Sequence, residues 1–225
     1  TVTANTTSGF SIVSYTGTGS NATVGHGLGV APSMIIIKYL GTGGWAWRVG
    51  STSVGWTKRL FLNTTDAEGT DSSAWNDTAP TSSVFSVGTS TGTNGSAAGL
   101  IAYCFADVQG FSRVVGSYTG TGSADGPFIY TGFRPAYVMV KRTDSTNDWK
   151  IIDNKRSTYN PTAGTLKANS DGVGDASEIY YDFCSNGYKI RLDAGALNAS
   201  GGSYIYIAFA EAPFVNSNGV PCNAR

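Results

Sequence analysis

At 225 residues the chain is long enough to bury a sizeable core, in one domain or two. Only 13% of it is charged, its 15 basic and 15 acidic residues balance, and no Lys/Arg block stands out, so the footprint that grips a phosphate backbone is missing and nucleic acid is not an expected partner. No apolar run approaches the roughly 18–20 residues of a spanning helix and residues 1–8 are too polar for a signal peptide, so membrane insertion is not expected either. The chain begins at Thr1 rather than Met, as expected of a trimmed or C-terminal part of something longer.

Residues 10–15 (FSIVSY) are β-branched and roughly alternating, which predicts a strand, and 16–21 follow with the Gly, Thr, Ser and Asn of a loop. The glycine-rich stretch 24–32 leads through Pro32 into 33–39 (SMIIIKY), a short unbroken apolar run of the kind buried on both faces of a sheet. Residues 41–44 turn the chain into 45–49, a predicted strand in which Trp45, Trp47 and Val49 share one face by the two-residue period. After a polar segment, 63–83, strands are predicted over 84–87 and 99–108. A second series follows over 112–118, 128–130, 136–142, 149–153, 179–183, 188–192 and 204–209. Nowhere do apolar residues recur at helical spacing over a useful length, so the chain reads as all-β, about a dozen short strands in sandwiches or barrels.

The chain also repeats itself. Residues 15–38, YTGTGSNATVGHGLGVAPSMIIIK, return at 118–141 as YTGTGSADGPFIYTGFRPAYVMVK; a shift of 103 carries Tyr15 onto Tyr118, Gly19 onto Gly122, Pro32 onto Pro135 and Lys38 onto Lys141. Residues 94–107 fall on 198–211 with a shift of 104, and Gly9-Phe10-Ser11 matches Gly110-Phe111-Ser112. This predicts two tandem related sandwich-like (jelly-roll-like) units, 1–108 and 109–225 with a C-terminal tail, packed closely together because the link at 107–110 is short.

Groups that could carry chemistry are few. His26 is the sole histidine, in GHGLG, and the repeat puts Ile129 opposite it, so the fold does not demand it; it reads as a turn histidine bonding a loop carbonyl. The glycines around it lack the following helix of a phosphate loop. Acidic loops hold Asp66, Glu68, Asp71 and Asp77, and Asp171, Asp175, Glu178 and Asp182, without the spacing of a glycosidase pair or a calcium loop. No catalytic residue, metal or cofactor is assigned. Cys104 reads as a small buried hydrophobe, whereas Cys184 and Cys222 leave a disulfide open. Six Asn-x-Ser/Thr sites, at Asn5, Asn21, Asn63, Asn76, Asn94 and Asn198, suit a chain so rich in Ser and Thr by chance. Lys38 and Lys141 read as strand-end lysines reaching water.

An uncharged Asn/Ser/Thr surface beside exposed aromatic faces suits neutral sugars. Trp149 falls opposite Trp45 or Trp47, so one of that pair is expected to serve the shared core. Trp56 and Trp75 have no Trp counterpart and become the first choice for a ligand-binding surface, with Trp45 and Trp47 behind them.

The stretches VGHGLGVAPSMIIIK and GSYTGTGSADGPFIYTGFRPAYVMVKRTDSTNDWKIIDNKR, with the closures GLIAYCFADVQGFS and SYIYIAFAEAPF, resemble the duplicated β domain of tail-fibre and other virion structural proteins of tailed bacteriophages, particularly those of cyanobacteria and marine bacteria. The resemblance covers nearly all of residues 9–214. It implies an extracellular, virion-borne, non-enzymatic module at the end of a tail fibre, a homotrimer among other virion proteins, that binds a host cell-surface receptor, a glycan, during adsorption. Its polar ending, 214–225, fits a true protein terminus. Rival readings are a capsid- or tail-decorating structural protein, a polysaccharide depolymerase, and a bacterial adhesin or lectin.

Overall fold

The computed structural model describes residues 1–172 and 174–213. Among them are seventeen strands, paired antiparallel throughout, and three single-turn helices. No described helix is long and apolar enough to cross a membrane. The chain is therefore all-β and sandwich-like. It divides into two compact units, Thr1–Asp107 and the part that begins at Val108.

The first unit contains β1 (Val2–Asn5), β2 (Phe10–Thr16), β3 (Ala22–Gly25), β4 (Met34–Tyr39), β5 (Arg48–Ser51), β6 (Lys58–Phe61), β7 (Gly69–Thr70), α1 (Ser72–Trp75), β8 (Val84–Val87), α2 (Thr91–Asn94) and β9 (Gly99–Phe105). Seven strands form a sheet in the order β1-β2-β9-β4-β5-β6-β7, and β3 and β8 pair as a separate ribbon. The alternation in β9 explains the packing: Leu100, Ala102 and Cys104 are wholly buried, and Ile101, Tyr103 and Phe105 lie on the opposite face. The buried row joins Val13, Ile35 and Ile37 against Phe85 and Val87 of the ribbon and Trp75 of α1. Each of the larger aliphatic and phenyl side chains among them contributes roughly 1.5–3 kcal/mol by leaving water.

The second unit contains β10 (Ser112–Thr119), β11 (Phe128–Tyr130), β12 (Pro135–Arg142), β13 (Lys150–Asp153), β14 (Thr162–Lys167), β15 (Asp175–Cys184), β16 (Gly187–Ile190), α3 (Gly195–Asn198) and β17 (Ser203–Ala210). The order is β10-β17-β12-β13-β14-β15-β16-β11. The run β2-β9-β4-β5-β6 thus recurs as β10-β17-β12-β13-β14, and the ribbon β3–β8 as β11–β16. The units differ where β15 pairs with both β14 and β16, sewing ribbon and sheet together; the first unit has β7 and α1 at that place in the chain. Tyr180, Tyr181, Phe183 and Tyr188 share one core with Val138, Val140, Tyr204 and Tyr206.

The repeated sequence is a repeated hydrogen-bonded lock. Asn94, at the end of α2, accepts the Thr18 N–H at 2.7 Å on Oδ1 and donates through Nδ2 to the carbonyls of Ser20 (2.6 Å) and Gly88 (2.7 Å). Asn198, at the end of α3, accepts from Thr121 N–H at 2.7 Å and donates to Ser123 (2.7 Å) and Leu192 (3.0 Å). Tyr15 and Tyr118 close the same corners through their hydroxyls, onto the carbonyls of Thr93 (2.6 Å) and Leu197 (2.8 Å). Gly19 and Gly122 take φ of +72° and +68°, a left-handed turn that favours glycine. Asn94 and Asn198, two of the six Asn-x-Ser/Thr sites, are thereby buried with their amides occupied, so their recurrence is structural.

One cross-strand pair changed in a compensated way. Val13 faces Ala102 in the first unit; at the matching register Gly116 faces Tyr206. A Cβ at Gly116 would sit 2.3–2.5 Å from the Tyr206 ring, so the ring occupies the space that a side chain on β10 would need.

Several elements depart from expectation. Strands β1, β3, β6, β7 and β14 and all three helices are unexpected, because each is too short for its own sequence to declare a period. The strand expected over 45–49 begins only at Arg48, because the Trp47 N–H bonds Asn63 Oδ1 at 2.8 Å instead of joining the ladder.

Candidate functional site

The side chains with catalytic potential are mostly committed to structure. The buried His26 ring accepts the Leu28 N–H on Nδ1 (3.2 Å) and its Nε2 lies 3.1 Å from the Thr81 carbonyl, so Nε2 carries the proton and the ring is neutral. Burial also lowers its pKa. Cys104 is buried, and loss of solvation pushes its thiol up to about 12. Cys184 is half-buried; Cys222 lies outside the described residues, so their pairing does too.

The acidic loop of the first unit does not converge on a common point. Glu68 pairs with Lys58, Asp71 stands 3.8 Å from both Arg48 and Arg59, and Asp66 accepts from Thr64. In the second unit Asp182 pairs with Arg191 at 3.5 Å, and the side chains of Asp175 and Glu178 lie outside the described residues. Among the described residues no three His, Cys, Asp or Glu side chains gather as a metal site would require.

The tryptophans sort differently from the expectation. Trp75 is completely buried and Trp56 is 7% exposed; their rings meet edge to face at 5.3 Å inside the first core. The reason is α1, a single turn with no helical period to betray it, which carries Trp75 inward over β5. A Cβ on Gly50 would lie 2.6 Å from both indoles, so the strand presents bare backbone to them. Neither ring offers a face to a ligand, and the first-choice binding pair is corrected to a core pair.

Trp45 and Trp47 remain at the surface. Trp45 is 39% exposed at the end of the 41–44 loop and Trp47 is half-buried. Lys38, at the end of β4, donates to the Trp45 carbonyl at 2.8 Å and places its ammonium 5.6 Å from the Trp47 ring centre. Trp47 in turn lies nearly parallel to Tyr103 of β9, with ring centres 6.2 Å apart and planes at 23°. The result is a stacked pair, Trp47 and Tyr103, beside an exposed Trp45 whose backbone is pinned by a lysine. Tyr103 was missed in the sequence, although the alternation in LIAYCFA already places it on the outward face of its strand.

The second unit repeats the scaffold and buries the matching tryptophan. Lys141 donates to the Asn147 carbonyl at 2.7 Å, and Trp149 N–H bonds Asn169 Oδ1 at 2.8 Å, as Trp47 does with Asn63. Trp149 is therefore the counterpart of Trp47, but it is 1% exposed, and Lys141 is wholly buried. Each strand-end lysine is thus a loop tether that donates to a loop carbonyl; Lys38 is half-buried and still meets water, and Lys141 does not. The second unit has its own exposed aromatics, Phe128, Tyr130 and Tyr159, which sequence reading passed over.

A family model described as a domain of unknown function, DUF7483, matches residues 1–213 and so spans both units. No curated protein and no solved structure matches the chain.

Proposed function

The chain belongs to the DUF7483 family of domains of unknown function, and from that premise we propose that it is the receptor-binding module of a phage tail fibre, holding a host cell-surface glycan during adsorption. The observation that carries the reading is the Trp47–Tyr103 stack beside the exposed Trp45, at the surface although the equivalent tryptophan of the other unit, behind the same lysine tether, is buried. A sugar ring presents an apolar C–H face that stacks on indole, and its hydroxyls find partners on a surface poor in charge and rich in Ser, Thr and Asn. One such contact is weak. Adsorption would draw its strength from several copies, in a homotrimer and among the other virion proteins of a fibre, each raising the effective concentration for the next. The resemblance of the repeated stretches to phage fibre domains supports the same assignment.

The test is binding of fluorescently labelled protein to cells of a susceptible host, beside a Trp45→Ala/Tyr103→Ser variant and a host strain lacking surface polysaccharide. Saturable binding that vanishes with the polysaccharide and weakens about tenfold or more in the variant is expected. A folded protein that binds no susceptible cell would overturn the receptor role in favour of a structural one within the virion.

A further inference from the structure

Each unit carries a groove at the same place in the fold, between its β2-type strand and the first strand of its ribbon. In the first unit the groove, about 330 Å³, lies between β2 and β3 and is partly walled by Thr1 and Val2. There β1 runs along β2, with the N-terminal ammonium and the Ser14 carbonyl 2.8 Å apart and the Ser14 N–H returning a bond to Thr1. In the second unit the groove, about 380 Å³, lies between β10 and β11, the two terminal strands of one sheet.

The second groove has a different rim. Phe128 and Tyr130 alternate with buried Ile129, so both project to one side of β11, 45% and 66% exposed. The shift of 103 sets Gly25 and Gly27 opposite them, so the repeated fold needs no aromatic at either position. Exposure removes the other structural explanation, core packing. Phe128 is seated over Gly187, where a Cβ would come 2.8 Å from its ring, and Tyr130 stands open beside Gly132, where even a Cβ would remain 3.7 Å from its hydroxyl. Along a strand, alternate residues stand about 6.5 Å apart, a spacing that lets neighbouring rings of an oligosaccharide use both faces. The wall opposite supplies the exposed Ser117 hydroxyl, and the Tyr206 hydroxyl, donating to the Tyr130 carbonyl at 3.2 Å, holds the two sides together. Arg113 is the one charged side chain in the lining. A volume within the roughly 300–1,000 Å³ range of small-ligand sites, hydroxyl and backbone walls, and an exposed aromatic rim together select for a neutral sugar.

We propose that the groove between β10 and β11 is a second binding site, for a neutral oligosaccharide that stacks on Phe128 and Tyr130 and bonds Ser117. This rests on the glycan-binding reading above and assigns it a site in the other unit. The test is titration of the full chain with maltohexaose, mannohexaose and N-acetylchitohexaose, followed by nuclear magnetic resonance, with oligogalacturonate as an acidic probe. The Tyr130→Ala, Phe128→Ser and Trp45→Ala variants, all at exposed positions, are titrated alongside, after circular dichroism confirms their fold. At least one neutral hexaose should bind, about tenfold more weakly in Tyr130→Ala and in Phe128→Ser, with a component that Trp45→Ala leaves unchanged. Neutral binding untouched by Tyr130→Ala and Phe128→Ser, or binding of the acidic probe alone, would overturn the groove assignment. Cell binding that depends on Trp45 while no neutral hexaose binds would overturn the groove and leave the receptor reading standing; failure in both assays would remove both.

Discussion

Replacing Asn94 by aspartate should harm the first unit more than replacing it by alanine, although aspartate has nearly the same shape. The Asn94 amide donates to the Ser20 and Gly88 carbonyls and accepts from Thr18 N–H. In Asn94→Ala the exposed Thr18 and Ser20 recover water as a partner, and the buried Gly88 carbonyl does not. Three bonds at about 1 kcal/mol each, plus about 1–2 kcal/mol for the stranded carbonyl, give a loss of about 4–5 kcal/mol. Asn94→Asp keeps the acceptor and so the Thr18 bond, but it loses both donor bonds and points a carboxylate oxygen at two carbonyls, adding at pH 7 a buried, unpaired charge that outweighs the bond it keeps. Either loss is a large part of the roughly 5–15 kcal/mol that holds a typical domain folded. Urea unfolding at pH 7, followed by the fluorescence of core residues Trp56 and Trp75, measures both variants beside the unaltered chain. An Asn94→Asp protein as stable as Asn94→Ala, or more so, would refute the donor assignment on which the lock depends.

Two further outcomes follow from buried titratable groups. The His26 ring has a lowered pKa when folded and its ordinary value of 6.5 when unfolded, so the unfolded state takes up the proton first; stability is full above about pH 6.5 and declines as the pH falls below it. His26→Gln should flatten the part of the pH dependence of the melting temperature between pH 5 and 7 that is due to the ring, and an unchanged slope would contradict the neutral assignment. Cys104, raised to about 12 by burial, should resist a thiol reagent at pH 8 until the first unit unfolds, and fast labelling of the native chain at Cys104 would show its burial to be transient.

The repeat was legible because it is written in residues with no local alternative: Tyr15 and Tyr118, Gly19 and Gly122, Asn94 and Asn198 return because one corner is built twice. The purpose of Asn94 was not legible, since its partners Thr18, Ser20 and Gly88 are distant or unremarkable in sequence. The alternation of β9 announced its buried row and, read one residue over, Tyr103. Trp75 could not be placed, because a one-turn helix has no period and burial there comes from tertiary contacts with β5. Trp45 and Trp47 were equivalent in the sequence; the side-chain bonds from Asn63 and Asn169 identify Trp47 as the partner of Trp149. Strands such as β3 and β14 went unseen because their partners, and not their own apolar residues, hold them in the sheet.

The exchange of Val13 and Ala102 for Gly116 and Tyr206 has a genetic consequence. Moving either strand alone from one copy into the other would set valine against tyrosine and overfill the site, or glycine against alanine and leave a void. Gene conversion between the two halves would therefore tend to yield misfolded chains and be selected against. With that pair unlike, the copies are insulated from homogenisation, so that Phe128 and Tyr130 can stand in one while Gly25 and Gly27 stand in the other.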